Sequence, residues 1–295
     1  MSGDTRHANG PEQVQNGDMF NYEELRQGLL NEDGQRKDGR QLHEMRNIFV
    51  RTATASQAKG SAYVELNGTK LLCSVFEPKP INKTKFKYSL RGRLHCSVKY
   101  APSGNPKPWM DFFPGIQEKV MSKRILRAIR PAVCRTEFPN KQVDIGIFVL
   151  EHDGACLATA INAAGIALAE AGIPMNDTFT ACSMVIIDNE FYLDPTEAEE
   201  YVAIKTPDQF GINHGIITVT VLSSLEQVVG ITHSGQMNGE CMINAIESLQ
   251  KACDKIVSEI KKALVNDVTA NVEMHEQQEV QERVVGGGRA NGVTN

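Results

Sequence analysis

Residues 143–175, VDIGIFVLEHDGACLATAINAAGIALAEAGIPM, constrain the fold more than any other stretch of the chain. Val143, Ile145, Ile147 and Val149 alternate with other residues, which is the period-two signature of a strand with one buried face. A short turn follows. From residue 156 to 171 the chain is Ala-rich and apolar on nearly every side, and a helix with no polar face is stable only when it is covered all round. Gly172 supplies its stop signal and Pro174 follows. A chain with such a helix must wrap other elements around it.

Those other elements are legible as strands and two more helices. Residues 47–53 are extended. Residues 61–66 and 69–75 flank Asn67-Gly68, a pair that tolerates positive φ and marks a tight hairpin. Residues 93–100 alternate, with Leu94, Cys96, Val98 and Tyr100 on one face. Ile116, Val120, Ile125 and Ile129 fit a helical period that ends at Pro131, and Lys119, Lys123, Arg124, Arg127 and Arg130 line the polar face. Residues 181–187, 191–193, 216–222 and 227–232 read as further strands. Met242, Ile246, Leu249, Cys253, Ile256 and Ile260 form one stripe of a last helix over residues 240–264. This order is that of an α+β fold with sheets packed on helices.

The chain of 295 residues carries a core at 36–266 between two polar segments, 1–35 and 267–295, which read as flexible tails. A patch at 22–30 in the first is apolar enough to dock on something. The net charge of -5 is too mild to name a partner, but its distribution is uneven. Residues 81–141 hold fourteen Lys/Arg against Asp111, Glu118 and Glu137, about +11, which leaves about -16 elsewhere. On charge alone this segment suits a polyanion surface and a solvated helix face with a lysine-rich loop equally well. The seven cysteines are scattered, with no CxxC pair. That pattern argues against a zinc site or a disulfide framework and for a reducing compartment. The N-terminus lacks the apolar core of a secretory signal, and no run of 18 apolar residues exists to span a membrane.

Four segments, in their order and spacing, carry a resemblance to the RNase PH family: RKDGR (36–40), SQAKGSAYVELNGTKLLCSV (56–75), the 143–175 run above, and YLDPTEAEE (192–200). The similarity covers most of 36–266. SQAKGSAY, LRGRL (90–94) and YLDPTEAEE favour one subfamily of eukaryotic RNA exosome ring subunits over its ring-mates. The resemblance implies an RNase PH-like fold of two βαβα-type halves with mixed sheets. It also implies assembly into a six-membered ring around an RNA channel, and residence in nucleus, nucleolus and cytoplasm. Its implied partners are other RNase PH-like subunits, an RNA-binding cap subunit, an associated catalytic exoribonuclease and single-stranded RNA.

Active members of the family cut RNA from its 3′ end with inorganic phosphate. That reaction needs a cation to hold one anion against another, and a carboxylate for acid/base work or metal positioning. The family places Thr and Arg in the turn after the strand of residues 143–150. Here those positions are Cys156 and Leu157, and an isobutyl group cannot neutralise phosphate. Of the family's two aspartates, Asp194 matches the first, and Asn213 or His214 falls where the second belongs. The expected site is therefore degenerate (Cys156, Leu157, Asp194, His214), with no catalytic residue, cofactor or metal. The acidic run Asp194, Glu197, Glu199 and Glu200 reads as a solvated helix start. Asp208, the nearest other acid, leaves open an active phosphorolytic exoribonuclease, and the basic segment leaves open a stand-alone RNA-binding protein.

For assembly, strands 61–75 and 227–232 have the β-branched character of sheets that meet a neighbour. For RNA, the resemblance implies that Arg91 and Arg93 line the passage. Lys99, Lys107 and Trp109 suit the same role, since a Lys/Arg-lined path tracks phosphates and an exposed ring stacks a base. Trp109 suits equally well a partly buried anchor of its loop.

Overall fold

A computed structural model describes residues 28–31, 35–81, 88–101, 114–205 and 213–287, the last stretch as backbone alone beyond residue 269. Two sheets hold it together. The first contains β1 (Ile48–Thr52), β2 (Gly60–Leu66), β3 (Thr69–Val75), β4 (Lys79–Pro80), β5 (Arg93–Tyr100) and β6 (Lys141–Glu151), with β6 at its centre between β3 and β5. Only β5 and β6 run parallel. The second sheet, in the order β10 (Gln227–Gln236), β9 (His214–Leu222), β7 (Phe179–Ile187), β8 (Glu190–Leu193), is antiparallel throughout, so one sheet is mixed and the other is not.

Helices α1 (Pro114–Ile129), α2 (Cys156–Glu170), α3 (Glu197–Lys205) and α4 (Gly239–Gly287) complete the fold. The apolar helix α2 lies between the sheets and packs on β2 and β3 of one and β7 and β9 of the other. Its residues from Ala158 to Leu168 are all buried, which is why no side of it is polar. It belongs to one core cluster that spans both sheets, as the apolar run required. The Asn67-Gly68 hairpin forms with Leu66 opposite Thr69, and Asn67 takes φ 48°.

Several expectations need correction. In α1 the buried side is Ile125, Ala128 and Ile129, whereas Ile116 is 58% and Val120 43% exposed. The stripe drawn through all four apolar residues is thus half core and half surface. The hairpin of β2 and β3 is paired on both sides, by β1 and β6, and β10 is an end strand of its sheet among the described residues. Helix α4 continues to Gly287, past the apolar stripe that ends near Leu264. Val265 and Val268 are exposed just past that stripe. At the other end, Leu29 of the 22–30 patch is buried with Val185, Ile187, Tyr192 and Val202, so this part of the N-terminal segment docks on the second sheet. All seven cysteines are free thiols, and all but Cys134 are buried.

Candidate functional site

The turn between β6 and α2 is held from three directions. Thr69 Oγ1 donates to Gly154 O at 2.8 Å and accepts from Asp153 N–H at 3.0 Å. Arg46 Nη1 donates to Asp153 O at 2.8 Å. Gly154 has φ 79° and lies against the chain after β8: a Cβ there would stand 2.3 Å from Pro195 O, so only glycine fits. The first residues of α2 therefore have a fixed place. Their N–H groups point to the helix N-terminal end, where the helix dipole favours an anion.

A carboxylate from within the chain already stands there. Glu200 Oε1 accepts the Ala155 N–H at 2.8 Å. Burial, opposed by this bond and by Arg46, pushes the Glu200 carboxyl up to about 7. Beside it, burial pushes the Cys156 thiol up to about 12, so it stays protonated and unreactive. Leu157 packs its partly buried side chain on the core. His152 is neutral, because burial lowers its pKa, and its Nδ1 accepts the Gly154 N–H at 3.3 Å.

Asp194 is joined to the same turn through Arg46. It is buried at the end of β8 with φ 50°, and Arg46 forks it: Nε and the backbone N–H reach Oδ2 at 2.9 Å each, and Nη2 reaches Oδ1 at 2.7 Å. Burial alone would lower the Arg46 pKa, but this pairing outweighs it and raises it. Arg46 Nη2 also donates to Pro195 O at 3.2 Å. The RKDGR segment joins the same lattice. Arg40 Nη1 lies 3.6 Å from Asp194 Oδ2 and donates to the Asp194 carbonyl at 3.2 Å. Arg36 Nη2 donates to the Leu42 and Leu193 carbonyls at 2.6 and 2.7 Å. Glu199, 3.6 Å from Arg36 Nε, is buried. The acidic run does start a helix, α3, but two of its carboxylates are interior groups rather than solvated ones.

The four residues of the expected degenerate site divide, with Asp194 tied through Arg46 to the turn before Cys156 and Leu157, and with His214 standing apart. Cys156 and Leu157 open α2. Asp194 bonds through its N–H to Ser183, which stands opposite Thr218 on β9. His214, buried at the first position of β9, lies four residues from Thr218, roughly 13 Å along the strand. Sequence reading missed Arg46, and it missed Glu200 as the carboxylate at the turn. Asp208 lies outside the described residues.

Of the expected RNA contacts, Arg91 is exposed and Arg93 half-buried at the start of β5. Lys99, near the end of the same strand, is roughly 20 Å away and ion-paired to Glu118 at 2.6 Å. Lys107 and Trp109 lie outside the described residues. Among the described residues no group of three or more His, Cys, Asp or Glu side chains is placed to hold a metal ion.

The chain belongs to the RNase PH family, whose first domain, described as the 3′ exoribonuclease family, matches residues 44–174. It is similar to the human exosome complex component MTR3, with 30% identity over 90% of this chain and 96% of that one. That relative is of the mRNA transport regulator 3 subfamily, which the SQAKGSAY, LRGRL and YLDPTEAEE phrases favour. It is similar also to the Arabidopsis thaliana exosome complex component RRP41-like, with 31% identity over 82% of this chain and 88% of that one. Among solved structures it resembles the Archaeoglobus fulgidus exosome with RNA bound to its active site, with TM-score 0.66, 21% identity, and coverage of 81% of this chain and 96% of that one. The RNase PH-like fold of mixed α and β content is shared with these exosome cores.

Proposed function

We propose that this chain is a non-catalytic ring subunit of the RNA exosome. It builds the six-membered ring with other RNase PH-like chains, meets an RNA-binding cap subunit and lines the channel that feeds RNA to an associated catalytic exoribonuclease. It does so in 3′–5′ RNA processing and degradation, in the nucleus, the nucleolus and the cytoplasm. The observation that carries the reading is Leu157. Phosphate attack on RNA brings two anions together, and without a fixed cation their repulsion stands uncompensated. At this turn an isobutyl group occupies the position where the family places its arginine. The guanidinium that does reach the turn, Arg46, is committed to Asp194, Asp153 and Pro195. Glu200 already takes the Ala155 N–H that would face a phosphate there.

Surfaces for assembly support the same reading. Among the described residues β10 leaves one backbone edge unpaired, and the outer face of the first sheet carries Phe49, Tyr63, Leu72 and Phe148, with Phe49 55% exposed. An exposed apolar face on one sheet and an end strand on the other each suit contact with a neighbouring subunit. The purified chain, incubated with single-stranded RNA, inorganic phosphate and Mg²⁺, is expected to release no nucleoside diphosphates. Phosphate-dependent release that Asp194→Ala abolishes would overturn the proposal in favour of an active enzyme.

A further inference from the structure

Five Asn-Gly pairs occur in the chain, and two of them lie among the described residues, Asn67-Gly68 and Asn238-Gly239. In such a pair the asparagine side chain closes readily on the next peptide nitrogen, because glycine puts no side chain in the way. The fold treats the two pairs differently. Asn67 takes φ 48° in a turn flanked directly by the Leu66–Thr69 strand pair. Gly68 stands against Asp153, where an added Cβ would lie 2.6 Å from Oδ2. Thr69, next in the chain, is tied through Oγ1 to Gly154 and Asp153. Closing a ring at Asn67 means rotating its Cα–C bond, and the chain is gripped on both sides of that bond.

Asn238 sits at a loose joint. β10 ends at Gln236 and α4 begins at Gly239. The Asn238 carbonyl accepts the Met242 N–H at 3.0 Å, the first bond of α4, which makes Asn238 the N-cap residue. An N-cap asparagine ordinarily folds its side chain back onto the helix. Here, among the described residues, no hydrogen bond engages the Asn238 carboxamide, and only the backbone N–H is held, by Asn213 Oδ1 at 2.6 Å. The Gly239 N–H is one of the orphan donors of a helix start, so no acceptor within the helix competes for it. A Cβ added at Gly239 would meet no atom within 4 Å, which leaves room for a ring. Both residues are exposed. The positive end of the helix dipole favours a deprotonated peptide nitrogen and the oxyanion that its attack creates. Rotation about the Asn238 Cα–C bond disturbs only the first turn, where helices fray.

We infer that Asn238 is a site of spontaneous deamidation, and that the hairpin protects Asn67 from the same reaction. The Gly239 nitrogen gives its proton to solvent base and attacks Asn238 Cγ. The new N–Cγ bond closes a succinimide, the Cγ–Nδ2 bond breaks, and ammonia leaves with a proton taken from water. A water molecule then opens the ring. Cleavage at Cγ gives aspartate, and cleavage at the main-chain carbonyl gives isoaspartate, with the chain running on through Cβ and Cγ. The net change is amide plus water to carboxylic acid plus ammonia, with no electron transferred. Either product takes the net charge one unit below -5. Aspartate puts its carboxylate at the start of α4, where the helix dipole favours it. Isoaspartate also lengthens the main chain by one carbon between β10 and α4. The new charge stands just past β10, the end strand of its sheet among the described residues. The inference is independent of the ring-subunit reading.

The test is to hold the full chain at mildly alkaline pH and body temperature, sample it over days and map each Asn-Gly peptide by mass spectrometry. Conversion replaces an amide by a heavier carboxylate, so each site is read separately. Asn238 should convert about tenfold or more faster than Asn67, a ratio that a small difference in activation free energy supplies. Gly239→Ala should slow conversion at residue 238 by about tenfold through its added methyl group. It should leave the melting temperature in place, because that position is open. In guanidinium chloride the two rates should converge, since no turn then holds Asn67. The inference is overturned if Asn67 converts as fast as Asn238 in the native chain, or if Gly239→Ala leaves the rate unchanged. It is overturned too if Asn238 stays intact in the fold while a free peptide of residues 234–243 converts. A difference between the two sites that survives in denaturant would also overturn it, because the fold would then not be the cause. None of these outcomes touches the phosphorolysis assay, which tests the ring-subunit reading by itself.

Discussion

The turn that opens α2 and the rim that opens β5 are both rich in charge, and they treat it in opposite ways. At the turn, Arg46, Arg36 and Arg40 are tied to Asp194 and the nearby backbone, and Glu200 takes the Ala155 N–H. At the rim, Arg130 and Arg91 both press on the charge of Arg135, and no ion pair engages the three guanidinium groups among the described residues. Charges that are consumed internally hold a fold together, and charges left unconsumed are available to a ligand. The family's reaction needs an unconsumed cation at the turn, and this chain keeps its unconsumed cations at the rim instead.

The contrast is broken most forcefully at Arg46. Arg46→Ala leaves Asp194 charged and buried with its fork removed, which should cost about 3–5 kcal/mol of stability. Chemical denaturation should show this as a large fall in midpoint at unchanged slope. Loss of less than about 1 kcal/mol would mean that Asp194 is reached by water, and that the turn is open after all.

A smaller effect sharpens the picture at Glu200. Burial raises its folded pKa to about 7 from an ordinary 4.5, so the folded state holds this proton more tightly than the unfolded chain does. Its contribution to stability is therefore fully present below about pH 4.5, falls as pH rises towards 7 and stays lost above it. Glu200→Gln keeps an acceptor for the Ala155 N–H and removes the buried charge. At pH 8 the variant should be more stable than wild type by about 2 kcal/mol, and the gain should fade below pH 5. Thermal melts at the two pH values measure it. The smallest effect belongs to the rim, where replacing Arg130 and Arg135 by Gln should change stability by less than about 0.5 kcal/mol.

Much of this architecture was legible in residue order. The alternation of β6, the apolar run of α2 and the Asn67-Gly68 turn are local patterns, and each formed where the pattern lies. The site was less legible, because its chemistry is made by long-range contacts. Nothing around Arg46 in the QLHEMRN stretch marks it as the partner of Asp194, 148 positions away. Glu200 looks like any acid in a first helical turn until the fold brings α3 against the start of α2. Arg130 reads as one more cation on a polar helix face, and only the Gly92 to Arg135 bond reveals its company. The α1 stripe failed for a related reason: periodicity marks a face as apolar without saying how far along the helix the core extends.

The most direct measurement is phosphate titration of the full chain, followed by ³¹P line width and by the amide resonances of residues 154–158. The account predicts no binding at millimolar phosphate and amide signals that stay in place, because Glu200 occupies that end of α2 and Leu157 brings no charge to it. Saturable movement of the Ala155–Ala158 amides, with phosphate retained beside Leu157, would contradict it.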